Sequence, residues 1–238
     1  MSQALPEGVQ RVAACLAERG HAHAPRMLAD AARSAQEAAE ALGVAIGQIA
    51  KSIIFKRLPD EVAVMVVTSG DQRVDEKKLT LLVCGPGQKL GRADADFVKA
   101  RTGFSIGGVS PVAHATPLVQ VLDASLFRFA QVWAAAGHTH GVFPATPVQL
   151  AQLTGARIVD VAQGEPGAHA LLRAQAAVVA AQAGDDVPSP CISVCQMNAD
   201  TGLCQGCLRR IDEIIDWSRR TPTARRAVWA SIAQRSAG

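Results

Sequence analysis

Apolar residues recur at helical spacing in the first part of the chain. Between residues 9 and 16 they follow the period of an α-helix, and Gly20 is a typical residue just beyond a helix end. Ser34 and Glu37 form a capping box ahead of a second apolar stretch. The pattern therefore predicts a first helix at 9–16 and a second at about 35–42.

Short apolar runs rich in β-branched residues follow. Residues 52–55 and 62–67 are typical of strands, and the turn residues at 58–61 between them predict a hairpin. Asp75 and Asp94 then stand where the N-caps of two further helices are expected.

Beyond residue 103 the pattern returns mainly to strands. A short helix is predicted near 126–129, and Thr146-Pro147 begins a longer one that ends at Gly155. The segments predicted to be extended are 104–106, 118–122, 132–135 and 158–161. Because strands and helices alternate irregularly, we predict an α/β (α+β) fold with a mixed sheet and surrounding helices, not a doubly wound parallel sheet.

The character of the sequence changes after residue 162. Residues 163–167 are rich in Gly and Pro, an alanine-rich helical stretch follows, and 184–190 is polar. We therefore expect a main domain at 1–165, a helical linker at 166–187 and a small domain at 188–238.

Composition narrows the class of protein. With 49% hydrophobic and 19% charged residues, the chain is typical of a globular protein. A net charge of only +3 and the lack of tyrosine argue against a surface that coats nucleic acid or stacks single-stranded bases, so any RNA contact must be local.

Membrane association is not predicted. Residues 1–18 are interrupted by charged residues and Pro6, and no run of roughly eighteen apolar residues occurs. We expect a soluble, cytoplasmic protein.

Four of the six cysteines lie close together near the C-terminal end. Their spacing is C-x3-C, eight residues, then C-x2-C, formed by Cys191, Cys195, Cys204 and Cys207. Four thiolates at such spacing can surround one tetrahedral ion. A domain this small has little hydrophobic core and needs a cross-link such as a bound metal for stability. The ligand type suits zinc and an iron–sulfur cluster equally. Cys15 and Cys84 are expected to be buried and inert.

Three features of the main domain are candidates for chemistry. Lys51 opens an apolar strand, which would place its ammonium at a pocket rim, although snorkelling explains it as well. Gly107 and Gly108 would let the backbone approach a ligand and expose amide groups, or would simply form a turn. His138 and His140, like His114, are compatible with metal binding, catalysis or a plain loop.

The order and spacing of these segments resemble the YbaK-type deacylases, free-standing relatives of the editing domain in bacterial prolyl-tRNA synthetases. The resemblance covers the first 165 residues, about two thirds of the chain. It rests on residues 38–43, 49–55, 73–79, 102–111 and 150–156.

The resemblance implies hydrolysis of the ester that joins a small amino acid to the 3′ end of tRNA, with Lys51 as the essential charged residue and no cofactor. The ammonium and the amides near Gly107 and Gly108 would stabilise the negative charge that develops on the ester oxygen. Lys51 would otherwise hold the terminal adenosine or its phosphate. Further substrate contacts are expected from Ser52, Ser110, Pro111, His114, His138 and His140.

The expected partner is the aminoacylated 3′ end of tRNA, and neither DNA nor a membrane is expected. Whether a prolyl-tRNA synthetase also binds is open. Gln149 and Ser52 differ from the residues of some relatives, so cysteine, alanine, serine and threonine on tRNA for proline all remain candidates. Two alternatives also remain: a binding protein without turnover, and a redox function located in the tail.

The tail resembles a small bacterial domain family of unknown function, often described as iron–sulfur proteins because of its cysteines. A helix from Thr221-Pro222 is predicted to close the domain. The apolar residues expected to pack over the metal are Ile211, Ile214, Ile215, Trp217, Val228, Trp229 and Ile232.

Overall fold

The computed structural model describes residues 4–163, 169–193 and 195–236. The chain divides into two compact units, Met1–Gly164 and Glu165–Gly238. Within the described residues, no helix is both long enough and apolar enough to cross a lipid bilayer.

The first unit contains five α-helices and eight strands in its described part. The helices are α1 (Glu7–Glu18), α2 (Ala35–Leu42), α3 (Glu76–Val83), α4 (Ala95–Thr102) and α5 (Pro147–Thr154). The strands are β1 (Arg26–Met27), β2 (Ile49–Leu58), β3 (Val62–Ser69), β4 (Lys89–Arg92), β5 (Val119–Asp123), β6 (Val132–Ala135), β7 (Gly141–Ala145) and β8 (Arg157–Val159). Short 3-10 helices lie at Ile46–Gln48 and Ala124–Arg128.

The strands form one mixed sheet in the order β1-β7-β6-β2-β3-β5-β8, and β4 also pairs with β2. The pairs β2–β6, β3–β5 and β5–β8 are parallel, whereas β2–β3, β2–β4, β6–β7 and β1–β7 are antiparallel. The predicted α/β fold with a mixed sheet is therefore confirmed.

The predicted helix caps are confirmed as well. The Ser34 side chain accepts a hydrogen bond from the Glu37 N–H in a capping box, and Gly43 ends α2 in the left-handed conformation. Asp75 and Asp94 cap α3 and α4. Local hydrogen bonding alone determines these boundaries, which is why the sequence predicts them well.

The strand predictions need correction at four places. Residues 104–106 are not a strand, because Phe104 is buried in the core and the chain then turns, with the Gly108 N–H donating to the Ser105 carbonyl. The strands β1, β4 and β7 were not predicted. Strand β7 contains Pro144, normally a strand breaker, yet all of its residues are buried between β1 and β6.

The core lies on both faces of the sheet. Met65 and Val67 of β3 face one cluster, which also contains Phe104 and Phe143. The alternate residues of β3 face a second cluster around Leu79. Because both faces of β3 are covered, β2 and β3 form a rigid centre from which the site residues project. The predicted burial of Cys15 and Cys84 is only partial.

The second unit contains α6 (Ala170–Ala181), α7 (Ile211–Ile215), α8 (Pro222–Arg235) and a 3-10 turn at Trp217–Arg219. Helices α6 and α8 pack together through a core that contains Leu172, Val179, Val228, Trp229 and Ile232. The segment predicted as a linker thus holds a helix that belongs to this core. The predicted packing of α7 is wrong for two residues, because Ile211 and Ile215 are 56% and 67% exposed.

A buried carboxylate fixes the end of β5. Asp123 is fully buried, and its two oxygens accept hydrogen bonds from the backbone N–H groups of Ser125 and Val161, each at 2.9 Å. The side chain therefore joins the 3-10 turn after β5 to the segment that follows β8.

We predict that Asp123→Ala lowers the free energy of unfolding by about 2 to 4 kcal/mol, because it leaves two buried N–H groups without an acceptor. Denaturant unfolding measures the effect. Asp96→Ala, at an exposed position in α4, serves as the control and should change stability by less than about 0.5 kcal/mol. Equal effects of the two substitutions would contradict the assigned role of Asp123.

Candidate functional site

A cleft of about 240 Å³ lies beside the first residues of β2 in the first unit. Its walls come from the start of α2, from β2, from β6 and from two loops. We call it the lysine cleft, and the residues that define it are Ala32, Arg33, Ser34, Ala35, Ala38, Ile49, Ala50, Lys51, Ser52, Gly107, Val109, Trp133, Ala134, Ala135, His138, Thr139, Gly141 and Val142.

The cleft lies where the sheet has a gap. One edge of β2 pairs with β3 over residues 50–57. The other edge pairs with β6 at Ile49 and Ala50, and with β4 only from Phe55 onward. Among the described strands, none pairs with residues 51–54 on that edge, so the backbone of this stretch has no strand partner there.

Lys51 is held by two backbone carbonyls. Its Nζ donates to the Gly70 oxygen at 3.1 Å and to the Gln72 oxygen at 2.5 Å. An ammonium has three N–H groups, and no described residue accepts the third. Burial is the main cause of a lowered pKa of Lys51, and the positive charge of Arg73 lowers this pKa further. The negative charge of Asp71 raises it, but the net shift is downward.

The loop that supplies these carbonyls is itself anchored. Arg128 and Ser69 each donate a hydrogen bond of 2.8 Å to the Asp71 carboxylate. Burial raises the pKa of Asp71, but these hydrogen bonds and the charge of Arg128 outweigh burial and hold it below its ordinary value. A side chain at Gly70 would collide with the Ile46 carbonyl oxygen, so this position requires glycine. Lys51 is therefore positioned by a rigid loop.

The paired glycines lie beside the lysine cleft but have different surroundings. Gly107 lines the cleft and has a φ of 91°, which favours glycine. Gly108 packs on the backbone of His138, where a Cβ atom would come within 2.7 to 2.9 Å. The Gly108 N–H is already donated to Ser105, whereas no described residue accepts the N–H of Gly107 or Val109. Gly107 and Val109 both line the lysine cleft, so their N–H groups are donors available there.

Two of the other predicted contacts lie at the cleft. Ser52 and His138 both line it. The Ser52 hydroxyl is buried, and no described group is its hydrogen-bond partner. His140 does not line the cleft; its Nδ1 lies 3.3 Å from the Leu28 carbonyl, and its ring centre lies 5.4 Å from that of His138.

The remaining predicted contacts lie away from the lysine cleft. Ser110 is fully buried and accepts a hydrogen bond from the Val112 N–H. Pro111 and His114 line a separate cavity of about 410 Å³. His114 Nε2 bonds the Ser110 carbonyl at 2.8 Å, and burial lowers the pKa of this histidine. These residues hold the far end of the glycine loop in place.

Sequence patterns did not indicate several groups that line the cleft or hold Lys51. Trp133 lines it, and the buried indole Nε1 has no hydrogen-bond partner among the described groups. The carbonyls of Gly70 and Gln72 come from a loop with no recognisable motif. The only available signal was Gly70 itself, a glycine directly after a strand.

In the second unit the four cysteines differ in their exposure to solvent. Cys204 and Cys207 are buried, whereas Cys191 and Cys195 are exposed. Burial raises the pKa of Cys204, but the N–H groups of Cys207 and Gly206 donate to its sulfur and the net shift is downward. Hydrogen bonding with Cys191 raises the pKa of Cys195. Among the described residues, no group of three or more potential ligands is arranged to hold a metal ion.

Comparison with known proteins identifies the family. The model for the aminoacyl-tRNA editing domain matches residues 29–153, which is more than half of the chain. YwhH, an uncharacterized protein of Bacillus subtilis (strain 168), is 34% identical over 127 residues, which cover 53% of this chain and 78% of YwhH. The chain therefore belongs to the aminoacyl-tRNA editing domain family.

Solved structures agree with this assignment. A protein described as a candidate trans-editing enzyme for prolyl-tRNA synthetase matches with a TM-score of 0.62 and 41% identity, over 68% of this chain and 100% of that protein. The hypothetical protein APE2540 matches with a TM-score of 0.59 and 29% identity, over 64% of this chain and 99% of that protein. Residues 189–236 match the model of a protein family of unknown function, DUF1289.

We predict that Gly108→Ala lowers the free energy of unfolding by about 1 to 3 kcal/mol, because the added methyl group collides with the His138 backbone. Gly85→Ala is the matched control, since its Cβ atom would meet only the Gln88 side chain at 3.5 Å. Denaturant unfolding of both variants measures the difference. If Gly108→Ala were as stable as the control, the close packing of the two loops would be disproved.

Proposed function

We propose that this protein hydrolyses the ester bond of aminoacyl-tRNA that carries a small, apolar amino acid. The observation that carries the proposal is that Lys51, whose ammonium is held by the Gly70 and Gln72 carbonyls, lines the same cleft as Gly107 and Val109, whose N–H groups have no acceptor among the described residues. Membership of the editing-domain family supports the same chemistry.

The reaction needs stabilisation of negative charge more than it needs a protein nucleophile. Water adds to the ester carbonyl, and the oxygen of that carbonyl becomes an oxyanion. The bond to the ribose oxygen then breaks, and the ribose oxygen takes up a proton to give free tRNA and free amino acid. The third N–H of Lys51 and the N–H groups of the glycine loop are the donors available to the oxyanion.

The lining of the lysine cleft supports a small and apolar substrate side chain. Ala35, Ala38, Ala50, Ala134 and Ala135 form much of the wall. No aspartate or glutamate is among the described lining residues, so the cleft offers no carboxylate to a polar or cationic side chain. Alanine fits this lining best among the candidates of this size. Similarity to a candidate trans-editing enzyme for prolyl-tRNA synthetase supports tRNA for proline as its carrier.

We predict that Lys51→Met lowers the rate of deacylation by roughly 10²- to 10³-fold, because it removes a charged donor to the oxyanion. Release of free amino acid from tRNA for proline charged with alanine, serine, cysteine or threonine measures the effect, and the alanyl ester should react fastest in the wild type. The control is Lys77→Met, at an exposed position of α3 outside the cleft.

Far-ultraviolet circular dichroism checks that the Lys51→Met protein is folded. A folded variant with wild-type activity would exclude Lys51 from the site. A wild-type protein that binds mischarged tRNA without releasing amino acid would instead favour a binding function.

We also propose that the four cysteines of the tail hold one zinc ion or iron–sulfur cluster. The donor set supports the proposal. The Cys204 sulfur accepts two backbone N–H groups from the following turn, and Arg209 Nε lies 3.3 Å from the Cys207 sulfur. Such hydrogen bonds favour the thiolate form, which is the form that binds a metal. A bound metal would supply cross-links to a unit with a small core.

We predict that the purified full chain contains one zinc or one cluster per molecule, and that Cys207→Ser lowers both the metal content and the melting temperature of the second unit. Elemental analysis, visible absorption and thermal unfolding provide the measurements. Cys84→Ser, in the first unit, is the matched control. A metal-free protein whose stability does not change on addition of a chelator, zinc or iron would disprove the site.

A further inference from the structure

A second cleft adjoins the lysine cleft in the first unit. It has a volume of about 580 Å³, and we call it the basic cleft. His138 and Thr139 line both clefts, while Gly107 lines the lysine cleft and Gly108 lines the basic one. The glycine loop and the His138–Thr139 segment therefore form a shared wall, and a ligand that crosses this wall occupies both spaces.

Arg11 and Lys99 give the basic cleft its charge. Among the described residues neither forms an ion pair with a carboxylate. Glu7 also lines the cleft, so two fixed cations face one carboxylate. Four of the remaining lining residues are glycines, Gly8, Gly103, Gly108 and Gly137, and a Cβ atom at Gly103 would lie 2.6 Å from the Arg11 guanidinium, so glycine there lets Arg11 approach the backbone.

The Arg11 guanidinium is fixed in position. Its Nε donates to the Ala113 carbonyl at 3.0 Å, one terminal nitrogen donates to the Thr102 carbonyl at 3.3 Å, and the group stacks 4.3 Å from the centre of the Phe104 ring. Lys99 is exposed, and its Nζ donates to the Gly103 carbonyl at 3.2 Å. These contacts use neutral acceptors, so the positive charges remain available to an anion.

We infer that the basic cleft binds the phosphodiester backbone at the 3′ end of the tRNA while the lysine cleft holds the aminoacyl ester. This inference rests on the proposed function. In an aminoacyl-tRNA the ester and the nearest phosphate are attached to the same terminal ribose. An ester in the lysine cleft thus requires an anion site close by. Arg33 is a single exposed cation at the lysine cleft itself, whereas the basic cleft is the adjoining space that brings together two cations without an ion pair among the described residues.

The test compares two substrates that differ in phosphate. Alanyl-tRNA carries the backbone, whereas 2′(3′)-O-alanyl-adenosine has the same ester without any phosphate. Lys99→Gln should lower kcat/KM for alanyl-tRNA roughly tenfold, in line with the loss of one hydrogen bond to a charged group, and leave alanyl-adenosine unchanged. Lys99→Arg should retain wild-type values. Lys77→Gln, which removes the same charge outside both clefts, is the matched control.

A binding measurement separates this inference from the proposed function. The probe is an uncharged single-stranded RNA oligonucleotide that ends in CCA, titrated against the full chain at several salt concentrations. Lys99→Gln should weaken binding about tenfold. It should also reduce the salt slope by about 0.7, which corresponds to one phosphate contact.

The outcomes are distinct. If the wild type hydrolyses both esters and Lys99→Gln affects them equally or not at all, the basic cleft is not a phosphate site although the proposed function stands. If the wild type hydrolyses neither ester, the proposed function fails. The oligonucleotide binding measurement is then the test of whether the basic cleft binds phosphate. The inference would be overturned if Lys99→Gln bound the oligonucleotide with wild-type affinity and salt slope. It would also be overturned if the wild type bound polyglutamate as tightly as the oligonucleotide.

Discussion

The site depends on one interaction, the hydrogen bonds between the Lys51 ammonium and the carbonyls of Gly70 and Gln72. The two carbonyls accept hydrogen bonds from two of the three N–H groups of the ammonium, but they carry no negative charge and so do not neutralise it. Lys51 therefore brings a partly buried positive charge to a cleft lined mainly by apolar side chains. A carboxylate in the same place would form an ion pair and weaken the attraction for an oxyanion. Asp71 is close enough to raise the pKa of Lys51, yet it is bonded to Arg128 and Ser69 and lies outside the cleft lining.

Local sequence signals predicted much of the fold because capping and hairpin formation depend on neighbouring residues. Ser34, Asp75 and Asp94 cap helices where expected, and the β2–β3 hairpin forms around the predicted turn. Strand β7 escaped prediction because Pro144 interrupts its strand pattern; its partner β6 directly precedes it, and only β1 is distant in sequence. The prediction of a strand at 104–106 failed because Phe104 fills the core without pairing with a strand, while Ile106 is exposed.

The site was predictable only in part. Lys51 and Gly107 could be selected from their sequence context, and they do share a cleft. The separation of Ser110 and His114 from that cleft could not be foreseen, because it depends on the direction in which the loop leaves Gly108. Carbonyl groups such as that of Gln72 have no sequence signature at all, because every residue has one. Residue type therefore predicts side-chain chemistry better than it predicts which backbone groups assist it.

The gap in the sheet has a mechanical consequence. In the described structure, the strands β1, β7 and β6 are joined to the rest of the sheet only by the pairs Ile49–Trp133 and Ala50–Ala134. A seam with so few interstrand hydrogen bonds resists separation less than the long β2–β3 ladder, so side-chain packing rather than the ladder maintains the spacing between its two sides. The lysine cleft is located along this seam, and its width is accordingly not fixed by a continuous ladder of hydrogen bonds.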